Sequence, residues 1–369
     1  MKKIRKFIKS PGFFFRDYFN KHYPAVNNEQ MIIEAEESLL IKNDFKLLEL
    51  DSYTQTQSQP IDVVFTWVDN KDPSWHKKYK TFIQQEDSLG KSALFSNDSA
   101  RFTNHNELYY SVHSVKKFMP WVRRIFIITD SQTPPWLELS PDENIEIIDH
   151  TQVIDKQFLP TFNSHVIEAN LHKIPGLSEH FIYFNDDVFV ARDLMPEHFF
   201  RKNGIASIFV SAKNLNTMQK KGTITPTLCA SFNSIKLLKN KHNHLINMPL
   251  VHTYIPLKKS IYQLAWQLYE QEILSFLTNK LRTNKDLNMA TFLVPWLMYL
   301  EGQSVATREI CYYFNIRSAN APAQYAKLLS KNNLGEQPHS FCAIDFNSKN
   351  NLPDYQEKLI SMLGAYYKI

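Results

Sequence analysis

From residue 61 onward the chain alternates short apolar, β-rich runs with stretches of helical periodicity, and that alternation restricts its fold more than any other feature. The runs are IDVVFTW (61–67), RIFIIT (124–129), NIEIID (144–149) and FIYFND (181–186). Between the first two, residues 105–119 place Leu108, Val112, Val115 and Met119 at helical spacing. Asn104 and Glu107 resemble a capping box there, and Pro120 ends the helix. Residues 164–174 (SHVIEANLHKI) predict another helix, with Ile167, Leu171 and Ile174 inward. Strand and helix in alternation predict an α/β fold with a mainly parallel central sheet. Beyond about residue 212 the texture changes. AKNLNTMQKKG reads as a polar loop. Residues 260–281 read as one long amphipathic helix started by Ser260 and Gln263, and 287–300 as a second, very apolar one interrupted by Pro295. This predicts a helical elaboration over about 255–305. The chain thus divides into a basic, aromatic segment (1–28), a helix and polar linker (29–60), a catalytic body (61–346) and a C-terminal helix or tail (347–369).

Composition excludes several chemistries. Glycine numbers only 8 of 369 residues, about 2% against a usual ~7%. No GxGxxG or GxxxxGK[ST] occurs, so any phosphate site must be made of side chains. The three cysteines are far apart, which argues against a disulfide framework or a cysteine zinc site and for a reducing cytoplasm. No apolar run is long enough to span a bilayer, and no signal peptide is evident. The net charge of +5 sits almost wholly at the start: residues 1–23 carry seven basic groups and one acidic, leaving 35 against 36 elsewhere. Phenylalanines and isoleucines interleave those cations. Such a segment suits the inner face of an anionic membrane or an assembly partner. No recognition motif points to nucleic acid.

Ligands of open α/β sheets bind at the C-terminal ends of strands. Asp69 follows the first run, and Asn185-Asp186-Asp187 ends the fourth. Adjacent carboxylates after an apolar strand call for a cation, and Mg²⁺ or Mn²⁺ bridging a diphosphate answers that. The plainer alternative is one Asp capping a helix and the other solvated. Arg101 precedes the first helix, and Asn163-Ser164 begins the next, where free N–H groups can face an anion. His165, Glu168 and His172 stand at i, i+3 and i+7, a spacing open to zinc but read more simply as a solvated face. His252 lies in HTYIP. Arg282 and Asp286 form an RxxxD pair, either a surface ion pair or a phosphate-binding Arg oriented by its Asp.

Taken in order, these segments resemble the Stealth family of sugar-1-phosphate transferases. The blocks are IDVVFTWVDNKDPSW (61–75), residues 101–137, FNSHVIEANLHKIPGLSEHFIYFNDDVFV (162–190) and, more weakly, PHSFCAIDF (338–346), with HTYIP and RTNKD (282–286) between the last two. Two departures stand out. Ile344-Asp345 replaces the family's more frequent Asn-Asp, and His113 stands where Arg is common. The resemblance implies a nucleotide-sugar-transferase-like fold and a UDP-sugar donor, often an N-acetylhexosamine. It implies transfer of sugar-1-phosphate to a hydroxyl of a capsular polysaccharide, with loss of UMP. Asp187, His252, Arg282 and Asp186 would then be catalytic. Asp186 and Asp187 would hold the metal. Asp69, Arg101, Asn106, Glu107, Asn163, Ser164, Asp286 and Asp345 would bind substrate. Two other readings stay open: a metal-dependent glycosyltransferase releasing UDP, and a non-catalytic scaffold of a capsule assembly complex.

Overall fold

A computed structural model describes residues 28–49, 59–88, 105–220, 225–346 and 351–369, with seven residues among the first 23. Arg101, Asn104, most of the linker 51–60 and most of the basic segment lie outside the described residues.

Ten strands are described: β1 (Ile61–Thr66), β2 (Ile125–Thr129), β3 (Ile145–Asp149), β4 (His180–Asn185), β5 (Val188–Val190), β6 (Ala206–Ile208), β7 (Ile255–Lys258), β8 (Ser304–Ala306), β9 (Cys311–Asn315) and β10 (Ser340–Ile344). The main sheet has the order β3-β2-β1-β4-β7. Its first four strands are parallel, and β7 is an antiparallel edge. The fold is α/β with a mainly parallel sheet, as the alternation predicts. β2 is buried throughout because both faces of the sheet are covered. The one charge inside β1, Asp62, is wholly buried. It accepts two bonds from Arg123, at 2.8 and 2.6 Å, and one from the Ser178 N–H.

A second sheet, β5-β10-β9, meets the first end to end. Only Asp186 and Asp187 separate β4 of one sheet from β5 of the other. The strand order reverses beside β1, where β4 returns after β2 and β3 have run outward. The crevice beyond the C-terminal ends of β1 and β4 is therefore the expected binding place, and the acidic pair stands in it.

Several helices differ from expectation. The long helix over 260–281 is two, Lys259–Leu268 and Glu270–Leu277, broken at Tyr269. Ile261, Ala265, Tyr269, Ile273 and Leu277 are all buried. A strict four-residue spacing drifts about 40° per step around a straight helix, so the break returns the stripe to the core. Ser260 caps nothing; its hydroxyl and N–H bond Glu179. The helix over 164–174 shrinks to Ser164–Glu168 and a turn at Leu171–Lys173. Residues 215–220 of the expected loop are helical. The apolar stretch before Pro295 winds as a π-type turn, Met289–Leu293. Pro295 then opens the helix Val294–Leu300, where a missing N–H costs least. Residues 28–41 are no free tether. Ile32 and Ile41 enter a core shared with Tyr312, Phe341 and the C-terminal helix Tyr355–Tyr367. No described helix is long and apolar enough to cross a membrane.

Candidate active site

The acidic crevice begins with the helix Glu107–Phe118, whose first residue points a buried carboxylate toward the seam. Burial first, and then the charges of Asp186 and Asp187, push Glu107 up to about 8. Burial and the neighbouring Asp187 likewise raise Asp186 to about 7. Three carboxyl groups thus share one poorly hydrated place. Asn106 stands just outside, exposed and left-handed at φ 67°, without capping the helix through its side chain. Locally, the His105 N–H donates to Glu107 Oε2 at 2.6 Å.

On the other flank of Asp187 stand His252 and Cys342. A carboxylate oxygen of Asp187, a ring nitrogen of His252 and Cys342 Sγ lie within 4.8 Å of one another. Asp187 Oδ1 and His252 Nε2 are buried and without a hydrogen-bond partner. Burial, with the Asp187 charge beside it, pushes the Cys342 thiol well above its ordinary range. Strand register explains the meeting: Cys342 pairs with Val188 across β5 and β10, and the Ala343 N–H donates to the Asp187 carbonyl at 3.0 Å. His252 is held from behind. Its N–H donates to Glu29 Oε2 at 2.7 Å, and its ring meets Tyr313 edge to face at 5.6 Å. Glu29 also pairs with Lys213 and takes the Ala212 N–H on its carbonyl.

Arg282 forms a third wall. Its fork donates to the Ser164 hydroxyl and reaches Thr227 at 3.5 Å. Burial pulls its pKa down, against the charges of Glu168 and Asp286. The Tyr183 hydroxyl feels both Arg282 and Asp186, and it bridges Thr66 to Asn185 at 3.0 Å each. The cationic and acidic walls therefore flank the same strand ends.

Several sequence expectations need correction here. Asp286 forms no ion pair with Arg282. It is wholly buried and accepts from Asn163, His165, Asn279 and twice from Thr283. Those bonds outweigh the upward push of burial and hold its carboxyl below the usual range. Ser164, not Asp286, orients Arg282. Asn163 has no free group for a ligand. Its Oδ1 caps His165, and its Nδ2 serves Asn279, Leu281 and Asp286. His165, Glu168 and His172 are buried rather than solvated. They form no zinc site, since His165 bonds Asp286 at 3.0 Å and His172 stacks on Tyr262 at 5.5 Å. Asp345 is taken by Arg317 and by His105 at 3.0 Å, bonds that overcome burial and lower its pKa. It braces the segment that carries Glu107. Asp69 caps its own turn by accepting the Lys71 N–H at 2.9 Å, and its backbone exchanges two bonds with Gln132. No helix follows Asp187, which removes the capping alternative for the acidic pair.

Sequence reasoning missed Cys342, Glu29, Tyr313 and Tyr183. Of these, Cys342 had a signal, its place three residues before Asp345 within the fourth block. The orphaned acceptors and raised carboxyls fit a divalent cation, which would relieve both.

Residues 101–208 match Stealth protein CR2, conserved region 2. A capsular polysaccharide phosphotransferase of Neisseria meningitidis is 58% identical over 369 residues, covering all of both chains. One of Haemophilus influenzae is 56% identical over 369 residues, again covering all of both. Among solved structures, a galactosyltransferase with donor and acceptor sugar analogues matches at TM-score 0.39 and 12% identity. That match covers 82% of this chain and 95% of the other, and it is too distant to bear on the reaction. With relatives of such identity along its whole length, the chain belongs to the Stealth family, among its capsular polysaccharide phosphotransferases.

Proposed function

We propose that the protein moves a sugar-1-phosphate, of the N-acetylhexosamine class, from a UDP-sugar to a hydroxyl of a growing capsular polysaccharide. The acceptor oxygen attacks the phosphorus that bears the sugar. The bond to UMP breaks, a phosphodiester forms, and the hydroxyl proton passes to a base of the site. The observation that carries this reading is the meeting of the Asp187 carboxylate and the His252 ring at the strand ends, each with a buried polar atom, Oδ1 and Nε2, that has no hydrogen-bond partner. Either can receive the acceptor proton. Arg282, steadied by Ser164, would neutralise phosphate oxygens, and Arg101 would add to it. Asp186 and Asp187 would hold Mg²⁺ or Mn²⁺, which when bound supplies charge to the phosphate oxygens. Glu107, Asn106 and Asp69 border the place where donor or acceptor would lie. The basic segment would keep the enzyme at the inner face of the cytoplasmic membrane, near its acceptor.

The test is to supply UDP-sugars, Mg²⁺ and capsule oligosaccharides and to identify the released nucleotide. UMP, with a diester signal by phosphorus NMR, supports the reading. UDP would show glycosyl transfer instead, and no nucleotide with any pair would leave a scaffold.

A further inference from the structure

We propose that Asp187, His252 and Cys342 form a site for a thiophilic divalent cation of the Zn²⁺ class, and that filling it stops transfer. The inhibitory half rests on the transfer reading above; the binding site does not.

The donor set argues first. A carboxylate oxygen, an imidazole nitrogen and a sulfur lie within 4.8 Å of one another. Three such protein ligands with one open position are the arrangement of exchangeable zinc sites. Mg²⁺ prefers oxygen throughout, whereas a thiol selects softer ions. Unpaired atoms argue next. Asp187 Oδ1 and His252 Nε2 are buried without partners, and a buried polar atom left so is destabilising. A single ion satisfies both.

The ligands are also held in place from outside. β10 fixes Cys342 beside Asp187 through the Ala343 N–H bond, and Glu29 and Tyr313 fix His252. A second group, His198, Glu309 and His339, has a similar ligand count and shows the contrast. There the Ile310 N–H already occupies His339 Nδ1 at 2.9 Å, and His198 bonds Glu309 at 2.8 Å. That group is closed by its own hydrogen bonds, while Asp187 Oδ1 and His252 Nε2 have none. When the ion binds, the Cys342 S–H bond breaks, an S–metal bond forms and the proton goes to solvent. The same ion takes the lone pairs of Asp187 and His252 that transfer requires.

The test titrates metal-free, full-length protein with Co²⁺, the coloured stand-in for Zn²⁺. The expected result is a thiolate-to-cobalt charge-transfer band in the near ultraviolet, with visible bands of four-coordinate cobalt, both displaced by Zn²⁺. His252→Ala and Cys342→Ala should each weaken binding at least about tenfold, and Cys229→Ala should not. The His252 ring is only partly covered, so His252→Ala keeps the test decisive if Cys342→Ala unfolds. No charge-transfer band, or one unchanged in both variants, overturns the site. Turnover that persists at saturating Zn²⁺ overturns the inhibitory half. A band in a protein that handles no UDP-sugar supports the site and removes only the transfer reading.

Discussion

The cationic and acidic walls of the crevice are finished to different degrees. Around Arg282 almost every polar group has a partner: Ser164 takes the guanidinium, Asp286 gathers five bonds, and Asn163 spends both ends of its amide. Around Asp187 the reverse holds. Two buried acceptors are unpaired, and two carboxyls are pushed to about 7 and 8. The first wall is rigid before any ligand arrives. The second is stable only in proportion to the charge that enters it. The contrast suits a site that holds an anion at fixed distance and does its proton and cation work opposite.

The largest effect that would break this contrast is loss of either wall's chemistry. Asp187→Ala, His252→Ala and Arg282→Ala should each lower transfer by about 10²–10⁴-fold with the fold intact by circular dichroism. A near-normal rate removes that residue from the site. Asp286→Ala should act differently, as a structural lesion. Stripping five donors of their acceptor should cost about 3 kcal/mol in chemical denaturation, with activity falling alongside. Stability unchanged with activity lost would make Asp286 a ligand group after all.

Glu29→Ala should come next. It frees the N–H of His252 without touching substrate, so kcat should fall about tenfold with KM little changed. A pure stability loss would confine Glu29 to structure. The smallest effect is on pH. Glu107 and Asp186 hold protons more tightly folded than unfolded, from the usual 4.5 and 3.8 to about 8 and 7. Their stabilisation is full below about pH 4 and lost as pH rises through 7 to 8. Metal-free protein should therefore melt at lower temperature at pH 9 than at pH 5. Mn²⁺ should flatten the slope, and Glu107→Gln should shrink it. A slope of opposite sign would mean that these carboxyls are charged and paired.

The parallel strands were legible because apolar runs covered on both faces need no partner information, and the acidic pair was legible because it ends such a run. The supporting layer was not. His165, Glu168 and His172 read as a polar face because the group that buries His165, Asp286, comes from more than a hundred residues away. Cys342 stood apart from the other cysteines in sequence and was given no part in the site, because its place depends on the antiparallel register of β5 and β10. Arg282 and Asp286 read as partners from spacing alone, yet each bonds residues near 163 instead. Spacing reports the face of one element, not what another brings against it.

The two-residue passage from β4 to β5 has an evolutionary consequence. With no slack between the sheets, one inserted or deleted residue would turn β5 over and exchange its two faces. That would part Asp187 from both Cys342 and His252 in a single step. Lineages that need a new sugar or acceptor therefore have to vary elsewhere along the rim, and length at this seam should be the last thing to change.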